Sequence, residues 1–528
     1  MNRNRVASSI AGLLVFVAAG AAFAQSRDKL GTVDFQNSCS PAVQEKLQRG
    51  VAMLHSFYYS ATQKAFEEVA VEDRSCAIAA WGYASILMGN PLQGVGALPK
   101  DAPRAQEAIE KGRAMGAKTE RERDYLEAVH AYYQDFAKRS ERERQVARAK
   151  AYEALAAKYP NDDEAQIFYA LYLAGTQTPS DQTYSAWLKA AAILEKQFAK
   201  HPDHPGVAHY LIHSYDAPPI AKQGLPAARR YADIAPDAPH ALHMPSHIFT
   251  RVGDWAGSVA TNRRSADSAL KAKEPDQALH ALDYMTYADL QLARDSEARK
   301  TVDEGLTLTT GLAGVAAGPY ALAAMPARYA LERGDWRDAA KLTPSPSKYP
   351  YTEAMTHFAR ALGAARSGDP AAAQKDVEQI AALRDQLKAA KNQYWASEVE
   401  VMRLSSAAWT ALAQKKGEEA LSLMRQAADI EDKSEKSIVT PGRLLPAREL
   451  LGDMLLELNR PAEALKEYEA SQQREPNRYR GLYGAALAAS QGGDKAKAKQ
   501  YYARLVEMAG KGEARPETGT ARAYLASN

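Results

Sequence analysis

The chain is short of cysteine, of long apolar runs and of net charge. Only Cys39 and Cys76 occur among 528 residues, and they form no C-x-x-C pair. After the first two dozen residues nothing approaches the ~18 consecutive apolar residues of a membrane-spanning helix. The 67 basic and 64 acidic residues leave a formal charge of +3. That balance gives no overall field toward nucleic acid or an anionic membrane, and nucleic-acid binding is disfavoured. Val, Ile and Thr seldom alternate with polar residues as strands require. Phosphate-binding and dinucleotide-binding glycine loops, an EF-hand loop and a G-x-S-x-G elbow are all missing.

What is present favours helix: alanine, leucine, glutamate, lysine and arginine dominate. The N-terminus reads as a secretory signal. Arg3 and Arg5 precede the apolar run Ile10 to Ala19, and Ala22-Phe23-Ala24 is an A-x-A cleavage pattern leaving Gln25 first. The rival reading is an uncleaved anchor, but the run is only as long as a signal core and is broken by Gly12 and Gly20. No cysteine follows the cleavage point, which argues against a lipoprotein. The expected location is periplasmic or secreted, with no membrane insertion after cleavage. Disulfides persist there, and Cys39 and Cys76 stand at the starts of successive helical pairs. A bond between them would be worth about 3.5–4 kcal/mol in the chain-entropy model; the alternative is two buried free thiols.

Seven of the eleven histidines fall between residues 201 and 250. His209 and His213 are four apart, so they share a helix face. His243 and His247 repeat that pair 34 residues later, and Pro202-Asp203 shifts by the same amount to Pro236-Asp237. A third copy follows at a shift of 40, where His240-Ala241-Leu242-His243 becomes His280-Ala281-Leu282-Asp283 and His247 becomes Tyr287. A period of 34 is one helix–turn–helix repeat. Equivalent positions of successive repeats stack, so a ladder of imidazoles is expected on one wall of a solenoid. Pro245 must kink the second histidine helix or delay its start.

Turn signals recur along the rest of the chain: Gly253-Asp254-Trp255, Arg294-Asp295, Gly334-Asp335-Trp336, Gly368-Asp369-Pro370, Lys416-Gly417, Asn459-Arg460-Pro461 and Gly493-Asp494. Glycine supplies a left-handed helix stop, and Asp or Pro opens the next helix. The glycine-rich loop 89–100 is placed at a groove mouth. Residues 343–347 and 431–445 read as irregular insertions. The expected divisions are 1–24 signal, 25–200 N-terminal helical pairs, 201–290 histidine-rich repeats, 291–512 C-terminal repeats and 513–528 tail.

The stretches LHSFYYSATQKAF, CAIAAWGYA, HYLIHSYD, APHALHMPSHIFTRVGDW and TPGRLLPARELLGDMLLELNRPAEALKEYEASQQREPNRYRGLYGAALAA resemble an exported bacterial branch of the tetratricopeptide repeat (TPR) proteins. The resemblance implies an all-α, right-handed solenoid of antiparallel helix pairs, with protein or peptide binding in its concave groove as the general use. It supplies no reaction. The histidines keep three uses open: structural or groove-lining, metal-ligating, and catalytic. As a metal site, His209, His213, His243 and His247 would be completed by His240, His280 or Asp283. Neutral imidazole suits Zn²⁺, Cu²⁺ or Ni²⁺ alike. The Glu that follows the first histidine of a zincin is absent. Ser246 is poorly aimed at His247, because neighbouring helix residues diverge by about 100°.

Overall fold

The computed structural model describes residues 28–312 and 315–527; the signal expected over 1–24 lies outside them. Among the described residues there is no β-strand, and α-helices follow one another from Gln44 to Ser527. Neighbours in sequence pack as hairpins, for example Gln44–His55 on Tyr59–Glu72 and Pro350–Arg366 on Pro370–Ala389. The first helices of successive pairs also touch one another. Pro275–Gln291, Ala317–Glu332, Pro350–Arg366 and Gln393–Ala413 form such an inner row. The chain is therefore a TPR-like, all-α repeat solenoid.

The packing rule that makes these pairs is visible at both ends. Phe66 of one second helix is pressed between Gly50 and Gly82 of the flanking first helices, and Tyr468 is pressed between Gly452 and Gly484 at the same spacing. A Cβ at Gly82 or Gly484 would stand 2.2 Å from the aromatic Cζ. Only a residue without a side chain lets the ring in, so these glycines are set by close approach.

The turns fall where the sequence places them. Gly253, Gly334, Gly368 and Gly493 adopt left-handed φ values, and Asp254, Asp369 and Asp494 cap the following helices with their side chains. Asn459 takes the same conformation before Pro461–Arg474. The helix after Gly334 stops at Ala339, because Pro344 and Pro346 cannot continue it. Pro245 does break its helix. The histidine segment runs as Pro239–His243 and Pro245–Val252 with Met244 between. The Leu242 carbonyl beside the break accepts from the Thr261 hydroxyl.

Two features were not expected. Residues 432–443 are irregular, as read, but they are not a surface excursion. Glu435, Lys436, Val439 and Thr440 are buried, and the segment lies against several inner helices at once. Tyr184 donates to Glu435 at 2.8 Å, Tyr284 to the Thr440 carbonyl at 3.1 Å, and Arg328 to the Gly442 carbonyl at 2.7 Å. The segment therefore fills inner space that an open groove would leave to a partner. Nor is 513–528 a tail: Pro516–Ser527 is a helix, with Arg515 paired to Asp295 and Thr518 bonded to Tyr479 at 2.7 Å. Trp255 donates to the Asn477 carbonyl at 2.7 Å, and the Tyr479 amide donates to Gln291 at 2.8 Å. The last repeats thus fold back onto residues 253–295.

Cys39 and Cys76 are disulfide-bonded. Thiol titration of denatured, unreduced protein should find no free cysteine, and two titratable thiols would overturn the bond. Gly484→Ala should cost roughly 1–3 kcal/mol by overpacking. Gly519→Ala should be neutral or slightly stabilising, because its Cβ meets nothing within 4 Å. Urea melts that give equal effects for the two would remove the ring-in-notch explanation.

Candidate functional site

The six histidines of the ladder form one continuous buried cluster. His209 and His213 come from the helix Pro205–Ser214, His240, His243 and His247 from the broken helix, and His280 from Pro275–Gln291. Ring centroids are 5.0 Å apart for His209–His213, 5.0 Å for His209–His240, 5.4 Å for His213–His247 and 4.3 Å for His243–His280. All six are at most 7 % exposed. They meet because each (i, i+4) pair faces inward from its own helix and the repeat brings the next helix alongside.

Hydrogen bonds assign the tautomers of three rings. His247 Nδ1 lies 2.8 Å from Asp216 Oδ2. Asp216 is held ionised, so the ring nitrogen must be the donor. His243 Nδ1 lies 2.7 Å from Asn262 Oδ1, and the Asn262 amide nitrogen is turned to the Ser258 carbonyl, so His243 Nδ1 is also a donor. His209 Nδ1 donates to the His55 carbonyl at 2.7 Å. Each ring therefore keeps an unprotonated Nε2 pointing into the cluster. His243 Nε2 and His247 Nε2 face each other at 3.1 Å. His209 Nε2, both ring nitrogens of His213 and of His240, and His280 Nδ1 are buried and make no hydrogen bond within the protein.

Charge around the cluster is organised behind His247. Burial alone would push the Asp216 carboxyl up, but Lys436, Arg251 and His247 together hold it well below the usual carboxylate range. Arg251 Nε donates to Asp216 Oδ1 at 2.8 Å. Burial pushes the Lys436 ammonium down to about 8, against the pull of Asp216. Burial, reinforced by neighbouring imidazoles, drives His209, His213, His243 and His280 well below their ordinary value, and His240 down to about 3. His247 is also lowered by burial, with Asp216 opposing.

A cleft of about 530 Å³ opens onto this cluster, with His213, His240, His247 and His280 on its wall. The glycine-rich loop lines the same cleft from Gly89 to Asp101, together with residues 272–277, Val315 to Ala317, Tyr349 and Ile438. His209 and His243 sit behind the lining rings.

Asp283 takes no part. Its Oδ1 accepts from Arg328 Nε at 2.9 Å, and Arg328 also grips residues 440–443, while Oδ2 is buried without a partner and groups with none of the histidine sets. Asp216, Asn262 and the His55 carbonyl are the anchoring groups instead. Only Asp216, three residues after His213, carried a signal in the sequence. A further buried set, His55–Glu164–His204, lies beside the cluster. His55 Nε2 and His204 Nε2 donate to the two Glu164 oxygens at 2.9 and 3.0 Å. The other nitrogens of those rings accept from Tyr210 and the Val207 amide. Every polar atom of that set is satisfied, and it acts as a structural clamp.

No protein-family model and no curated protein sequence matches the chain. Among solved structures, the human IFIT1 dimer with PPP-AAAA is similar over 82 % of this chain and 90 % of its own, at 13 % identity and a TM-score of 0.35. The human IFIT1 dimer with m7Gppp-AAAA covers 87 % and 95 % at 12 % identity and a TM-score of 0.34. The APC/C hetero-tetramer Cut9-Hcn1 covers 91 % and 95 % at 11 % identity and a TM-score of 0.30. These scores lie below the level at which a common overall arrangement can be argued. The ligands and subunits in those titles belong to those proteins.

The depressed histidines set a sign for pH dependence. Above about 6.5 they are neutral both folded and unfolded. Below it the unfolded chain takes up protons that the folded cluster refuses, so stability falls as pH drops from 6.5 toward 3, by about 1.4 kcal/mol per pH unit for each refusing ring. Urea titrations of metal-free protein should show a clear loss between pH 7 and pH 5.5. Replacing His213 and His240 together by Gln should flatten that slope; an unchanged slope would mean these rings do not control it.

Proposed function

We propose that this chain is an exported helical-repeat protein that holds a divalent transition metal in the histidine cluster of its cleft. One observation carries the reading. His243 Nε2 and His247 Nε2 face each other at 3.1 Å while Asn262 and Asp216 hold the opposite nitrogens as donors. Two lone pairs pointed at one another repel, and a shared cation removes the conflict. Two imidazoles on one zinc-like ion at ~2.0–2.1 Å would have their nitrogens about 3.3 Å apart at a tetrahedral angle. Asp216 behind His247 matches the carboxylate–histidine–metal arrangement that orients ligands and raises their basicity.

The buried nitrogens without partners add to this support, since each would otherwise cost about 1–3 kcal/mol. A repeat scaffold for partner binding remains the broader use of such a fold. Residues 432–443 occupy inner space next to the cluster, so a protein or peptide partner would meet this site only through the cleft. A cleft of about 530 Å³ is in the range of small-molecule sites, which points to a metal-binding or metal-dependent role acting on small ligands. The Cys39–Cys76 bond supports export, because such bonds last in oxidising compartments.

The test is metal content. Protein exported from its host without a histidine tag should carry stoichiometric zinc, copper or nickel, and His243→Ala/His247→Ala should lose it while keeping its helical circular dichroism. Metal-free wild type that takes up none of the three ions on titration would end the reading. Mass spectrometry of the same exported sample should place its first residue at Gln25.

A further inference from the structure

The repeat that builds the scaffold also builds the histidine site twice. Two groups have one ring nitrogen from each member within 4.8 Å of the others: His209, His213 and His240, and His243, His247 and His280. The first group takes its (i, i+4) pair from Pro205–Ser214 and the second from the two halves of the broken helix, and each takes a third histidine from the next first helix. The pair shifts by 34 residues and the third member by 40. The two groups are thus successive copies of one local design. They adjoin, with His213–His247 centroids 5.4 Å and His240–His243 centroids 5.9 Å apart.

We propose, resting on the metal reading above, that the cluster is a two-ion centre binding a pair of copper ions, one in each three-histidine set. Six nitrogens on one ion would all have to lie within about 4.2 Å of each other at ~2.0–2.1 Å bond lengths. The structure instead brings them together as two threes, the three nitrogens of each within 4.8 Å of one another. Every set has the free nitrogens for this. His209 Nε2, His213 and His240 serve the first set, and His243 Nε2, His247 Nε2 and His280 Nδ1 the second.

The ligand chemistry selects the metal. Six neutral imidazoles suit copper, zinc and nickel, and among divalent ions such donors bind copper most tightly. Neutral donors also leave the ions' charge uncompensated, because Asp216 is already matched by Arg251 and Lys436. The cleft gives an anion such as hydroxide access to balance a divalent pair. His213, His240, His247 and His280 reach the cleft wall, so both ions keep an open side toward it, as catalytic metals do.

Full-length protein stripped by chelator and titrated with copper alone should bind two equivalents. His213→Ala and His280→Ala should each bind one, from opposite sets, and Asp216→Asn should weaken only the second set, by ~10–100-fold. Wild type needs no variant for the other readout. The electron paramagnetic resonance signal of Cu²⁺ should grow with the first equivalent and shrink with the second, as neighbouring spins couple. One equivalent, or two signals that simply add, overturns the two-ion centre and leaves the single-metal reading standing. Two equivalents of zinc held more tightly than copper overturns the choice of ion. No binding of any metal ends both.

Discussion

The buried Asp216 carboxylate is the interaction on which the site's organisation depends. An isolated charge there would be untenable, since an unpaired buried ion costs several kcal/mol. It is supported from three directions. Arg251 comes from the broken histidine helix, Lys436 from the irregular segment and His247 from the cluster itself. One carboxylate thereby fixes the tautomer of a cluster histidine, pins residues 432–443 against the inner helices, and ties the helix ending at Ser214 to the one following Met244. Arg328 does the same work one repeat on. It joins Asp283 to Thr440 and Gly442, so the irregular segment is held by two buried charge networks.

The fold was legible because its determinants are local. Glycine before aspartate ends one helix and starts the next. The histidine pairs were legible for a related reason: four-residue spacing on a helix and a repeat period together decide which faces meet. The joining of His213 to His247 follows from those two periods alone; the contact of His243 with His280, 37 residues apart, does not.

What escaped the sequence depends on contacts between distant segments. Lys273 and Lys391 take left-handed conformations at helix ends without being glycine, so no residue type marked those stops. Asp283 looked like a metal ligand because it occupies a histidine's repeat position, yet a single arginine 45 residues later claims its carboxylate. Glu431 to Leu445 read as a loop because it is rich in charge and lacks helical period. Glu435 and Lys436 are buried because Arg251, Arg474 and Asp216, all distant in sequence or on other elements, pair with them, which no local pattern reveals. The final helix was taken for a tail since its docking surface lies some two hundred residues earlier.

That docking changes what kind of object the repeat array is. Open solenoids behave as nearly one-dimensional chains whose units touch only their neighbours, so units can be gained or lost with little disturbance. Here Trp255 meets Asn477, and Asp295 meets Arg515, so the array is closed into a loop by contacts of very long sequence separation. Loop closure of that length forms late and makes folding slow and cooperative. It also fixes the number of repeats: adding or deleting one would pull the ends out of register. The lineage of this architecture should therefore vary by substitution within repeats and hold its repeat count constant.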